Sequence, residues 1–258
     1  MGSAMLDGWL ERGLEPGRVY VVEPSETGRA ALDAKGVRVV ADGAGVPGDL
    51  KPGTIVFAVK PQVMDNVAPG YARFAGDDTV FLSIAAGKTI AYFEAKLGAG
   101  AAIVRAMPNT PAAVQRGITV ACGNACISDA QKSACLDLLG AVGEAAWVDD
   151  EGLLDAVTAL SGGGPAYVFL LAEVMAKAGV ANGLPAELAE RLARVTVAGA
   201  GELLHQSTEA AATLRQNVTS PGGTTAEALR VLMADDAWQP LMDRAIAAAT
   251  ARSRELAG

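Results

Sequence analysis

The sequence predicts an α/β protein whose two halves differ in rhythm, and three observations predict it. Short apolar runs alternate with helical-looking stretches up to about residue 148, the βαβ pattern of a parallel sheet. After about residue 150 the strand-like runs cease and Ala- and Leu-rich helical text takes over. Glycine and proline fall at the junctions, where helices stop or start. The reading is an N-terminal doubly wound parallel, Rossmann-like sheet over residues 1–150, followed by an all-helical domain over residues 151–258.

The strands are expected at 19–22, 37–40, 55–59, 80–84, 102–106, 118–122 and 145–148, each a short β-branched or apolar run. Gly36 and Gly98 lie where intervening helices should end, and Pro61 closes the third strand. In the second half Pro165 and Pro185 suit first-turn positions, and Gly179 and Gly183 punctuate. Gln206, Ser207, Thr208 and Glu209 form a polar break between helices. The apolar stretches 166–174 and 195–204 leave more hydrophobic surface than a lone helical domain encloses, so self-association as a dimer or larger homo-oligomer is expected over an ordinary monomeric core.

Composition excludes several classes of function. With 258 residues, 51% of them hydrophobic, the chain can build a sizeable core. A formal net charge of −8 argues against a nucleic-acid partner, which needs clustered Lys and Arg. No apolar run is expected to reach the roughly 18 residues of a membrane span, and no basic region leads into a hydrophobic one at the N-terminus. The expected location is the cytoplasm. Cys122, Cys126 and Cys135 lack CxxC spacing and read as reduced thiols, with no metal site expected. His205 is the single histidine and sits in a helical run, which leaves no imidazole for a His-metal centre or a Ser-His-Asp arrangement. A nicotinamide cofactor, which carries its own hydride, fits that gap.

The strongest local signal is the stretch 214–229. Pro221 ends what precedes it, Gly222 and Gly223 free the backbone to turn, and Thr224 stands three residues before Glu227 in the spacing of a capping box. The helix should start at Thr224 or Thr225. Its first N–H groups, with hydroxyls from Ser220, Thr224 and Thr225, suit a carboxylate or phosphate. A plain capped loop is the competing reading.

Five motifs in order make the chain resemble the pyrroline-5-carboxylate reductases over nearly its full length. They are Ala58-Val59-Lys60-Pro61; Ala85-Ala86-Gly87; Arg105-Ala106-Met107-Pro108-Asn109-Thr110-Pro111; Ser161-Gly162-Gly163-Gly164-Pro165-Ala166-Tyr167; and the residues from Asn217 through Thr225. The resemblance implies reduction of 1-pyrroline-5-carboxylate to L-proline by hydride from NADH or NADPH. It implies that Ser220, Gly223, Thr224 and Thr225 hold the substrate carboxylate and that the Thr225 hydroxyl also meets the ring nitrogen, the catalytic contact. It further implies that Glu151 lines the proline site and that Asn217 lies near the cofactor, with capping or surface roles as the alternatives. The backbone at Ala58, Val59, Lys60, Pro61, Ala85 and Ala86 is implied to receive the dinucleotide at strand ends. Lys60 either adds charge there or is a solvated lysine.

The N-terminus departs from the family pattern. Gly2 matches the third glycine of G-x-G-x-x-G, while the preceding strand and two glycines are not in the sequence. The expectation is a start codon placed too late or a shortened chain; if Met1 is the true start, dinucleotide binding should be badly weakened. Glu23, at the end of the first predicted strand, suits the ribose hydroxyls of NADH and repels a 2′-phosphate, although Ser25 and Arg29 lie close. The alternatives are a related imine or 3-hydroxyacid dehydrogenase, or an inactive helical dimerisation scaffold.

Overall fold

All seven apolar runs form strands: β1 Tyr20–Val22, β2 Arg38–Val40, β3 Thr54–Phe57, β4 Val80–Ser83, β5 Ala102–Met107, β6 Gly117–Gly123 and β7 Gly143–Trp147. The computed structural model describes residues 1–257. β1 and β2 pair in parallel as one small sheet, and a second sheet has the order β3-β4-β5-β6-β7. Its β3, β4 and β5 are parallel, as expected. The wholly parallel sheet of the sequence reading is corrected at one place, because β6 runs antiparallel to β5 while β7 follows β6 in parallel. A parallel return needs a crossover of a dozen or more residues. Between β5 and β6 the chain has only a 3-10 turn at Thr110–Val114 and Gln115 in the left-handed region at φ 57°, so it folds straight back.

The helices of this part are α1 Gly2–Glu11, α2 Glu26–Asp33, α3 Met64–Val67, α4 Ile90–Leu97, α5 Asp129–Gly140 and α6 Leu153–Val157. Gly98 ends α4 at φ 105°, a conformation that only glycine adopts cheaply. Successive strand residues point to opposite faces, and both faces are covered. Phe57, Phe81, Phe93, Ile103 and Leu154 belong to one core cluster; Met5, Leu82, Val104 and Leu139 belong to the other. On the first side the Phe57 ring stacks with Phe93 at 5.5 Å and Phe81 at 6.1 Å between centroids.

The chain divides into two units, Met1–Gly162 with Thr250–Gly258, and Gly163–Ala249. Residues 151–162, which the sequence reading groups with the helical half, pack with the first unit. The cause is packing: Leu154 of α6 is fully enclosed in the first unit's core, and Ser253 Oγ donates to Asp155 Oδ1 at 2.7 Å, bringing the chain's end back to the first unit.

The second unit contains α7 Gly164–Ala181, α8 Ala186–Gln206, α9 Ala211–Asn217, α10 Thr224–Leu232 and the start of α11 Trp238–Ala257. Pro165 lies in the first turn of α7, and Pro185 is the N-cap of α8, one residue outside the expected first turn. Gly183 turns the chain between them at φ 94°. A Cβ on Gly179 would lie 3.1 Å from that of Ala189, so α7 and α8 approach closely there. In this unit only Ala189 and Ala193 are buried among the described residues, while Phe169, Val195, Leu203 and Leu241 are exposed. α6, a π-helical turn at Thr158–Gly162 and α7 form one helical stretch, Leu153–Ala181, long and apolar enough to span a membrane by length and composition. The expectation of no such run is corrected, with Gly163 a bend at the junction of the π-helical turn and α7.

Candidate active site

Two groups of predicted site residues come together within the first unit. Gly2 opens α1, and a Cβ added to it would stand 3.0 Å from the Ala58 Cβ, just beyond the end of β3. The helix start and the strand end therefore touch, and only glycine permits it without displacement. α1 has no side-chain cap, so its first N–H groups are without a side-chain acceptor. β3 ends two residues earlier than expected, at Phe57, leaving Ala58 exposed in the connection. Lys60 is extended ahead of Pro61, as a residue before proline favours, and its exposed ammonium has no ion pair among the described residues.

The end of β4 supplies the neighbouring connection. Ala85 N–H donates to Ser83 Oγ at 3.2 Å, Ala86 is exposed, and Gly87 adopts φ 71°. A Cβ at Gly87 would approach the Leu256 carbonyl oxygen to 3.1 Å, so this glycine serves both turn and close contact. Thr89 then caps α4 by accepting Tyr92 N–H at 3.2 Å. Together these strand ends make an uncapped helix start, a backbone cradle and small side chains, the elements that suit a pyrophosphate and a flat ring.

Glu23 follows β1, where its Oε1 accepts Ser25 N–H at 2.8 Å. Arg29 Nη1 donates to the Glu23 and Pro24 carbonyls at 3.1 and 2.6 Å, tying the guanidinium to its own turn. A Cβ on Gly28 would meet Glu23 Cγ at 2.8 Å, so the acidic side chain lies along the start of α2.

Glu151 has a partner that no sequence pattern announces. Its Oε1 accepts from Arg105 Nη1 at 2.8 Å and from Ile90 N–H, the first amide of α4, at 2.9 Å. Arg105 is enclosed in the middle strand β5. The signal available in the sequence is a lone charge inside the run Ala102-Ile103-Val104-Arg105-Ala106; a buried charge needs a counter-charge, but nothing local locates it. The same surroundings push the neighbouring Cys122 thiol up to about 12, chiefly through burial and then through the Glu151 charge. Asn109, also missed, donates from Nδ2 to the Ser161 carbonyl at 3.2 Å and accepts Ile118 N–H at 2.9 Å, joining two of the motifs.

The remaining site residues lie in the second unit. α10 begins at Thr224, as expected, but its N-cap is Gly223 and the capping box is not made. With Thr224 already inside the helix its hydroxyl is one residue too late to cap, and Glu227 pairs with Arg230 at 3.0 Å instead. Gly222 turns at φ 69°, and Gly223 N–H donates to the Ser220 carbonyl at 3.0 Å. The Ser220, Thr224 and Thr225 side chains have no hydrogen-bond partner among the described residues, and all three residues are exposed. Asn217 ends α9 and donates from Nδ2 to Glu209 Oε2 at 3.3 Å. His205 is exposed in the last turn of α8.

Comparison with known proteins adds a family to this geometry. Residues 151–256 match the family model described as pyrroline-5-carboxylate reductase dimerisation. A pyrroline-5-carboxylate reductase of Pseudomonas aeruginosa is 39% identical over 100% of this chain and 93% of its own length. One from Haemophilus influenzae is 36% identical over 99% and 94%. Among solved structures, the pyrroline-5-carboxylate reductase of Coxiella burnetii superposes with a TM-score of 0.93 at 34% identity, covering 100% of this chain and 95% of that one. The Plasmodium falciparum pyrroline carboxylate reductase, solved with NADP bound, gives 0.81 at 28% identity with the same coverage.

Proposed function

Since this chain belongs to the pyrroline-5-carboxylate reductase family, we propose that it reduces 1-pyrroline-5-carboxylate to L-proline with a reduced nicotinamide dinucleotide. The full-length likeness to named reductases carries this reading, and a different imine or 3-hydroxyacid dehydrogenase is not favoured. The dinucleotide is assigned to the start of α1 at Gly2 and to the connections holding Ala58, Val59, Lys60, Pro61, Ala85 and Ala86. The contact between Gly2 and Ala58 supports this, because a side chain at residue 2 would fill the cradle. Bound there, the cofactor supplies the hydride that C5 of the imine accepts.

The protein's own tasks are positional. Amides at the start of α10 and the hydroxyls of Ser220, Thr224 and Thr225 receive the substrate carboxylate, supported by the absence of internal partners for those hydroxyls among the described residues. Thr225 also bonds the ring nitrogen, which carries the proton that remains as the N–H of proline, so no histidine is required. Glu151 is read as a residue of the proline site, in keeping with the family resemblance. Its Oε1 is already engaged by two donors, which points to an organising role.

Glu23 makes NADH the preferred donor in this reading, since its carboxylate opposes a 2′-phosphate. Competition assays with both cofactors test it. A kcat/KM about tenfold higher with NADPH, roughly 1.4 kcal/mol, overturns the preference. The activity is tested by following reduced nicotinamide and proline together on addition of 1-pyrroline-5-carboxylate. Equimolar loss and gain are expected; cofactor consumption without proline contradicts the assignment.

A further inference from the structure

An Arg–Glu pair, its arginine buried and its glutamate half-buried, lies in the first unit where the cofactor assignment needs rigidity. The Arg105 side chain is 7% exposed and that of Glu151 30% exposed, with 2.8 Å between Nη1 and Oε1. Such a pair usually stabilises a protein no more than well-packed apolar residues of equal volume do, because the arginine leaves water and the carboxylate partly does. Stability alone therefore gives little reason for it. What an apolar pair lacks is direction. The oxygen that meets Arg105 also accepts the Ile90 amide at 2.9 Å. That amide opens α4 and has no acceptor in its own helix, and a carboxylate there also faces the positive end of the helix dipole.

The consequence falls on residues 85–89, the connection between β4 and α4. One end of this loop is held by the strand, where Ser83 Oγ accepts Ala85 N–H. The other end is held at Ile90 by Glu151, which Arg105 fixes to the middle of the sheet. Between them Ala85 is in the core and Lys88 lies over the Tyr92 ring, while Ala86 is exposed and Gly87 adopts the left-handed region, so the middle of the loop relies on its two ends for its shape. We propose that Arg105, acting through Glu151, is a positioning residue that clasps the loop 85–89 in the shape that receives the nicotinamide dinucleotide. The clasp rests on the cofactor assignment above for its functional consequence. Its structural part stands on the hydrogen bonds alone.

The test uses the full chain with the substitutions Glu151→Gln, Glu151→Met and the double variant Arg105→Met/Glu151→Met. Amide hydrogen exchange over residues 85–90 is the primary readout. The double variant removes both charges, keeps volume and so remains folded even where Glu151→Met alone, which leaves Arg105 unpaired, does not. Exchange at these amides should quicken about tenfold in the double variant, with its melting temperature close to that of the unsubstituted protein. Glu151→Gln keeps an acceptor oxygen and should restore most of the protection. In parallel, the Kd for reduced dinucleotide should rise about tenfold in the double variant while KM for the imino acid changes less than about twofold. Unchanged exchange in a folded double variant overturns the clasp. A rise in imino acid KM with unchanged dinucleotide Kd also overturns it and makes Glu151 a substrate contact. If the unsubstituted protein binds neither NADH nor NADPH, the cofactor assignment fails, and the exchange result alone decides the clasp.

Discussion

In the first unit Phe57, Phe81 and Phe93 stack between sheet and helix, and β4 has all four of its residues buried. In the second, α7 has no buried residue along its 18 positions, and Phe169 is 69% exposed. Both regions are rich in apolar side chains, yet one encloses them and the other displays them. A sheet covered on two faces closes its own core, whereas a helical hairpin buries one stripe and leaves another for a neighbour. The family model matched by residues 151–256 is one of dimerisation, and self-association is what a unit with this surface requires. Substitutions in the two regions should therefore fail in different ways.

The largest effect is expected in the enclosed region. Phe93→Ala removes a fully buried ring and should cost about 3–5 kcal/mol. Urea unfolding checks it, and the loss should not depend on protein concentration. A concentration-dependent loss would erase the distinction between the units.

Phe169→Glu should act through the oligomer. Each copy forfeits about 1.5–3 kcal/mol of apolar burial, with the cost of a charge added. Sedimentation velocity should show smaller species at concentrations where the unsubstituted protein stays associated. Thr225→Val, also in the second unit, should leave both fold and assembly intact. Its kcat/KM for the imino acid should fall by a factor corresponding to about 1.5–3 kcal/mol, the range of a hydrogen bond to a charged group.

The smallest effect separates the units by pH. Burial pushes the thiols of Cys122 and Cys135, both in the first unit, up to about 12. An acid whose pKa is raised by folding stays protonated in the folded chain while it ionises in the unfolded one. Stability is thus full below the ordinary thiol range and falls as pH rises through it toward 12. Each thiol contributes a slope of up to about 1.4 kcal/mol per pH unit in that window. Cys135→Ala should flatten the alkaline slope measured by denaturant titration. At neutral pH, exposed Cys126 should be the one thiol of the three that a maleimide labels in the folded chain.

Much of this was legible because the relevant signals are local. Each strand shows itself as a short apolar run, and Gly98, Gly183 and Gly222 mark turns that need positive φ. The direction of β6 is not written in its own residues; it follows from the short connection before it. The Thr224 and Glu227 spacing satisfies a capping box, but Gly223 takes the cap position and shifts Thr224 inward. Glu151 illustrates the remaining limit, since its partner Arg105 lies 46 residues away and is brought to it by the sheet. The anion turn was the most informative local motif, and its three hydroxyls are free of internal partners among the described residues. Local patterning finds elements and ligand-facing loops, while partners distant in sequence emerge only from the fold.

The central claim is that the second unit's displayed apolar faces are covered by another copy of this chain. Sedimentation velocity of the full chain at micromolar concentration tests it most directly. The predicted result is a dimer or larger species with no monomer peak. A single monomeric species that retains its full helical signal would contradict the account.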